Sequence, residues 1–256
     1  MKAKKSLGQN FLIDQKIIEK IISFLNAKEE DLIIEIGPGT GALTRYLKEK
    51  NCNIICYELD EDLKPYLNKL EDNKTKVIYN DILKSNIKDD IKNINYNNLY
   101  IVGNLPYYIT TPIIKYIIDS EIDVKEMIFM VQDEVADRFT ALPKTSSYGS
   151  ITLYLKYYYN VEKLFKVSKK CFDPVPKVES AIIKFTKRND KPAIDKDKYF
   201  KLVNDSFKQK RKTLKNNLNN YDFDKIKQIL FKYNLNDNVR AEEISEEIFM
   251  DIVNNL

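Results

Sequence analysis

The 256-residue chain contains no histidine. The commonest general base at neutral pH is therefore missing, and with it the serine-type triads and most zinc sites. Cysteine is scarce: Cys52, Cys56 and Cys171 are the only three. So sparse and odd a set excludes a disulfide framework and fits a reducing, cytoplasmic compartment. Cys52 and Cys56 sit in an apolar, strand-like stretch and read as core. Long hydrophobic runs are also missing. The longest weakly charged region, Asn93 to Ile114, is interrupted by Asn, Gly and two Pro, which excludes a membrane span. The basic start Met1–Lys5 is followed by no apolar segment of signal length. Net charge is only +4, from 42 basic and 38 acidic residues, so bulk charge selects no partner.

What is present is an alternation of two periodicities. Ile17, Ile18, Ile21, Ile22 and Leu25 recur at helical spacing. Leu32–Ile36, Asn53–Glu58, Val77–Asp81, Leu99–Val102 and Met127–Val131 read as strands with helices between them. Such alternation predicts an α/β fold, a parallel sheet with helices on both faces. Thr111-Pro112 predicts a helix start, with proline at the first helical position. After Ser146 the pattern changes. Ile151–Tyr158 reads as a tyrosine-rich helix, and Val161–Val167 and Val178–Phe185 as an antiparallel pair closing the sheet. The polar stretch Arg188–Pro192 predicts a boundary. Beyond it Tyr199–Leu218, Phe223–Tyr233 and Ile244–Leu256 read as helices. The expected division is residues 1–188 and a small all-helical domain, 189–256.

Gly37-Pro38-Gly39-Thr40-Gly41 lies between a strand and a helix, where glycines let the backbone turn sharply and approach a ligand. Glu58 follows Gly37 by 21 positions, at the end of the next strand, suited to ribose hydroxyls. No Lys-Ser/Thr follows the loop, which excludes a P-loop. Asp81 adds a second acid on the ligand rim. Two acids suit a ligand with an adenine amine and an ammonium group better than a pyrophosphate, so S-adenosylmethionine is preferred to NAD.

Asn104-Leu105-Pro106-Tyr107 leaves the fourth strand at its carboxyl end. An exocyclic adenine amine is a poor nucleophile because its lone pair is delocalised into the ring. The Asn104 side chain and the Leu105 carbonyl can accept both amine hydrogens, Pro106 stiffens the turn, and Tyr107 can stack on the base. Neither a metal nor a histidine is required. The base must be flipped out to reach such a site. Phe172, ahead of Pro174 and Pro176 on an expected surface loop, reads either as core or as a second stacking face. Positive charge is segregated. Lys2, Lys4 and Lys5 precede Gln9, Lys163–Lys191 holds nine basic residues against three acidic, and Lys208, Lys210, Arg211, Lys212 and Lys215 form a run without an acid. That distribution fits a phosphate-binding face.

These residues carry a resemblance. Leu7–Asp14, Glu35–Gly41, Asn104–Tyr107, Phe172–Val178 and Arg211–Leu214, in that order, make the chain similar to the small-subunit ribosomal RNA adenine dimethyltransferases of the KsgA type, almost end to end. The resemblance implies a Rossmann-like methyltransferase sheet followed by a helical domain. It implies transfer of four methyls from S-adenosylmethionine to N6 of two adjacent adenosines, in a hairpin loop near the 3′ end of small-subunit rRNA, by a cytoplasmic monomer acting on an assembling subunit. Carried over by position, Asn10, Leu12, Gly37, Gly39, Glu58, Asp81 and Asn104 are expected at the cofactor. Asn104, Leu105, Pro106, Tyr107 and Phe172 are expected at the target adenine, and Lys208, Lys210, Arg211 and Lys212 on RNA. Tyr108 stands where the family more often has Asn. Three alternatives compete: a large-subunit rRNA methyltransferase, a non-catalytic ribosome-assembly factor, and an NAD oxidoreductase.

Overall fold

In the computed structural model, residues 3–4, 7–190 and 192–256 are described. The apolar runs become adjacent strands. β1 (Phe11–Leu12) and α1 (Gln15–Ser23) lead into β2 (Leu32–Ile36), α2 (Ala42–Leu47), β3 (Asn53–Glu58), α3 (Lys64–Leu67), β4 (Thr75–Tyr79), α4 (Ile87–Ile91), β5 (Leu99–Asn104), α5 (Thr110–Asp119) and β6 (Val124–Gln132). β3 and β5 flank β2, β4 lies outside β3, and β6 outside β5, all parallel. Every residue of β2 is buried, which is why its sequence is a near-continuous apolar run rather than an alternation. The chain continues through α6 (Asp133–Phe139), α7 (Ser150–Tyr158), β7 (Tyr159–Val167), β8 (Phe172–Asp173) and β9 (Ser180–Lys187). β9 runs antiparallel to β6, giving the sheet order β4-β3-β2-β5-β6-β9-β7. β8 instead pairs with β1 in a separate two-stranded ribbon. The mostly parallel sheet with helical crossovers is the expected Rossmann-like arrangement.

Two element boundaries differ from expectation. α5 starts at Thr110, with Ile109 as its N-cap. The Pro106 carbonyl accepts the Ile109 N–H at 3.1 Å and the Thr110 hydroxyl at 3.2 Å, so the turn after β5 feeds straight into the helix. Pro112 then falls in the first turn, where its missing N–H has no intrahelical partner to lose. The expected helix Tyr199–Leu218 is broken into α8 (Lys196–Ser206) and α9 (Leu214–Asn217). Thr213 caps the second piece, accepting the Asn216 N–H. Lys208–Lys212 therefore lie in a turn between helices, not along a helix face. α10 (Phe223–Lys232) and α11 (Glu246–Asn255) complete the chain.

The described residues pack as two units. One comprises the chain up to Ala136 with Glu162–Lys187; the other comprises Asp137–Val161 with Arg188–Leu256. The expected division at 188/189 differs from this at Asp137–Val161. The reason is the buried face of α7: Leu153 and Tyr157 share a core with Tyr199, Leu202 and Phe249, and Tyr157 stacks on Tyr199 at 5.5 Å. Arg188 fastens the same unit, donating to the Lys156 carbonyl at 2.8 Å and to Glu246 at 2.9 Å. Among the described residues no helix is long and apolar enough to cross a membrane.

Gly103 shows how closely β2 and β5 approach. A Cβ there would stand 2.6 Å from the Ile36 carbonyl oxygen, a backbone atom that cannot swing aside. Gly103→Ala is expected to destabilise the protein by about 1–3 kcal/mol, the usual scale of overpacking. A chemical-denaturation midpoint equal to that of the unaltered protein would contradict this.

Candidate active site

β2, β3, β4 and β5 all deliver their carboxyl ends to one rim of the sheet. The chain builds outward from β2 to β4, then crosses to β5 on the other side of β2. Such a reversal of strand order leaves a crevice beyond the strand ends, where open α/β sheets bind ligands. A cleft lies there, bounded by residues that leave each of the four strands.

The loop after β2 supplies backbone rather than side chains. Gly37 and Gly39 adopt φ of 69° and 60°, the left-handed region. A Cβ on Gly39 would also meet the Phe11 ring at 3.0 Å. At the end of β3, Glu58 is buried and held from two sides. One carboxylate oxygen accepts the Gly39 N–H at 3.0 Å and the other the Asp60 N–H at 2.9 Å. Burial pushes its carboxyl up, with those amides opposing. After β4, one oxygen of Asp81 caps the following turn, accepting the Leu83 N–H at 3.0 Å.

β5 delivers Asn104. Its side-chain nitrogen donates to the Asn10 carbonyl at 2.9 Å. A carbonyl only accepts, so this bond fixes which way round the amide sits. The side-chain oxygen remains an acceptor with no donor among the described residues. The Leu105 carbonyl is likewise without one, while Pro106 uses its carbonyl twice in the turn. Tyr107 lines the cleft, and its hydroxyl is 2.7 Å from the Ser180 hydroxyl on β9. Burial raises the Tyr107 phenol.

The cleft thus brings together Asn10, Gly37, Gly39, Glu58, Asp81, Asn104, Leu105, Pro106 and Tyr107. Leu12 is not on it; it lines a small neighbouring pocket with Phe11, Glu35 and the glycine loop. Phe172 requires a correction. It is not on an exposed loop but only 2% exposed, packed in the core of the first unit and paired with Leu12 across the β1–β8 ribbon. A ring so enclosed offers no open face to a base. Tyr108 is 59% exposed, and its ring covers Gly8, where a Cβ would stand 3.1 Å away. In the second unit Lys208, Lys210, Arg211 and Lys212 are all exposed; Lys208 pairs with Asp205 at 2.7 Å and Lys210 donates to the Ser146 carbonyl. Lys2, Lys5 and Lys191 lie outside the described residues.

Sequence reasoning gave no role to Gln9, Phe11, Asp60 or Glu35. For Glu35 a signal existed, a carboxylate inside the apolar run Leu32–Ile36. The structure buries it fully, and burial raises its carboxyl to about 7 against a 2.6 Å hydrogen bond from the Thr44 hydroxyl. For Asp60, whose side-chain partners Lys4 and Gln9 are over 50 residues away in sequence, local pattern held no signal.

A sequence profile of the family described as ribosomal RNA adenine dimethylase matches residues 1–256. The chain belongs to that family. It is 40% identical over 248 residues to a ribosomal RNA small subunit methyltransferase A of Mycoplasma mobile, covering 96% of this chain and 95% of the relative. It is 41% identical to the protein of that name in Clostridioides difficile, covering 99% and 90%. Among solved structures, a dimethyladenosine transferase from Plasmodium falciparum superposes with a TM-score of 0.79 at 25% identity, covering 94% of this chain and 95% of that one. The 23S rRNA methyltransferase ErmE shares the fold, with a TM-score of 0.75 at 23% identity over 96% and 99% of the two chains.

Proposed function

We propose that this family member uses the cleft to bind S-adenosylmethionine and dimethylates N6 of two adjacent adenosines in the 3′-terminal hairpin loop of small-subunit rRNA, with the cytoplasmic small subunit as its partner. The observation that carries the reading is the orientation of Asn104. An amide held by the Asn10 carbonyl has one use left for its oxygen in this cleft, which is to accept a hydrogen bond. When bound, S-adenosylmethionine supplies an electrophilic methyl on a sulfonium centre.

The protein's part is to make the amine nucleophilic and to place it. In the first transfer the Asn104 oxygen and the Leu105 carbonyl accept the two amine hydrogens, in the second one of them accepts the single hydrogen that remains, and each time the nitrogen is drawn out of conjugation toward tetrahedral geometry and releases one proton to solvent. The Pro106 turn fixes the Leu105 carbonyl. The Tyr107 ring, tethered through its hydroxyl to Ser180, presents a face to the base. Glu58, anchored by two backbone amides, suits ribose hydroxyls, and Asp81 retains a carboxylate oxygen for an amine. Such positioning and electrostatics supply most of the rate effect in sites of this kind. Arg211 and Lys212, with the likewise exposed Lys208 and Lys210 beside them, are cations suited to rRNA phosphate.

The small-subunit assignment is supported by the 40% and 41% identities to small-subunit enzymes, against the lower identity to a large-subunit enzyme. The test is methyl transfer to unmethylated small subunits and to large-subunit RNA, with mass mapping of the modified nucleosides. The expected product is N6,N6-dimethyladenosine at two neighbouring positions of the small-subunit RNA. Modification confined to large-subunit RNA would overturn the assignment.

A further inference from the structure

We infer that Asp60 is a positioning residue: with Lys4 and Gln9 it latches the N-terminal segment across the cleft and so sets both Asn104 and Glu58. This rests on the roles proposed above for those two residues.

Asp60 is a carboxylate only 4% exposed, and a charge that deep needs partners. It has them on both oxygens. One accepts the Lys4 ammonium at 2.5 Å and the Asp62 N–H at 3.1 Å; the other accepts the Gln9 side-chain amide at 2.7 Å. Lys4 and Gln9 also close on each other, the Lys4 N–H donating to the Gln9 side-chain oxygen at 2.7 Å. Burial alone would raise the Asp60 carboxyl, but the hydrogen bonds from Lys4, Gln9 and the Asp62 amide outweigh it and hold the carboxyl below its usual range.

The clasp holds one end of a wall. Leu7, Gly8, Gln9, Asn10 and Phe11 all line the cleft. Downstream the wall is held by the β1–β8 ladder, where Phe11 pairs with Asp173. Upstream, Asp60 is the anchor. Between the anchors, the Asn10 carbonyl orients the Asn104 amide at 2.9 Å and the Phe11 ring lies on Gly39. Asp60 acts on the other side too, since its own N–H donates to Glu58 at 2.9 Å. One residue therefore joins the ribose acceptor to the segment that aims the base acceptor. Releasing it frees the wall and unpins the carbonyl on which Asn104 depends.

Lys4→Met, Asp60→Asn and the double variant separate this from a merely stabilising role. Lys4 is 40% exposed, so its replacement leaves no buried group unpaired except the carboxylate under test. Each single variant is expected to weaken S-adenosylhomocysteine binding, measured by calorimetry, about tenfold and to lower single-turnover methylation by about 10- to 100-fold, the scale of a small misplacement of reacting groups. The double variant is expected to lose less than the two single losses combined, because both remove the Lys4–Asp60 contact, although Lys4→Met also frees the exposed Asp62 (2.5 Å) and Asp60→Asn also loosens Gln9 (2.7 Å). Lys4→Arg is expected to restore both readouts. Single variants that bind and turn over like the unaltered protein, or losses that add in the double variant, overturn the latch. Failure of the unaltered protein to bind S-adenosylhomocysteine would instead overturn the reading of the cleft.

Discussion

Asn104→Ala is expected to lower the rate of adenosine methylation by about 10²–10³-fold, the cost of removing one preorganised hydrogen-bonding group that acts on charge developing in the transition state. Binding of the small subunit is expected to change little, because phosphate contacts dominate affinity for RNA and Asn104 is a neutral side chain assigned to the base, not to phosphate. The expected split follows from geometry. Asn104 contributes an oxygen aimed by a 2.9 Å hydrogen bond from its own nitrogen to the Asn10 carbonyl. Asn104→Asp sharpens the test. It keeps an acceptor oxygen but places a second oxygen against the Asn10 carbonyl, where a donor is required. It too should fail, although its side chain is nearly isosteric. Single-turnover methyl transfer and filter binding measure the two quantities separately. A rate within tenfold of the unaltered enzyme for Asn104→Ala would sink the proposed mechanism.

The second large effect concerns stability and pH. Glu35 lies wholly within the protein, and burial moves its carboxyl from 4.5 to about 7. The folded state therefore holds the proton more tightly than the unfolded chain. The stabilisation is fully present below about pH 4.5 and is lost as pH rises through about 7. Above that range the ionised carboxylate costs about 3 kcal/mol relative to a group that never ionises. Glu35→Gln removes the titration while keeping an oxygen to accept the Thr44 hydroxyl. The two proteins should melt together near pH 4, below the unfolded-state value. Near pH 8.5 the variant should melt higher by about 6–12 °C, given roughly 2–4 °C per kcal/mol for a chain of this size. A melting difference that does not grow with pH would show that Glu35 stays ionised in the folded protein.

Much of the site was legible because its parts are local. A glycine loop after a strand, an acid at the end of the next strand, and Asn-Leu-Pro-Tyr at the end of another are each contiguous or regularly placed. Strand-end chemistry in a parallel sheet faces one rim, so Gly37, Glu58, Asp81 and Asn104 could be expected at one cleft before any pairing was seen. Phe172 was read less well. Pro174 and Pro176, both just after it, point to a surface loop, but β8 pairs with β1 and carries the ring into the core. That pairing joins residues about 160 positions apart in sequence, and no local pattern encodes it. The Tyr199–Leu218 helix failed for the opposite reason: its apolar periodicity continues across the turn at Lys208–Lys212, while the cap at Thr213 restarts the helix.

Periodicity and motif spacing were enough for the alternation of strands and helices, the parallel sheet and the strand-end positions of Gly37, Glu58, Asp81 and Asn104, because each depends on neighbours along the chain or on the fixed direction of strand ends; Asn10 came from the family resemblance, and Gln9 and Phe11 carried no local signal. Three features came only from folding in three dimensions: the placement of Asp137–Val161 with the C-terminal helices, the burial of Phe172, and the clasp of Lys4 and Gln9 on Asp60. Each is a contact between segments far apart in sequence. Which distant groups meet depends on the burial and hydrogen bonding of the whole assembly, not on any stretch of residues read alone.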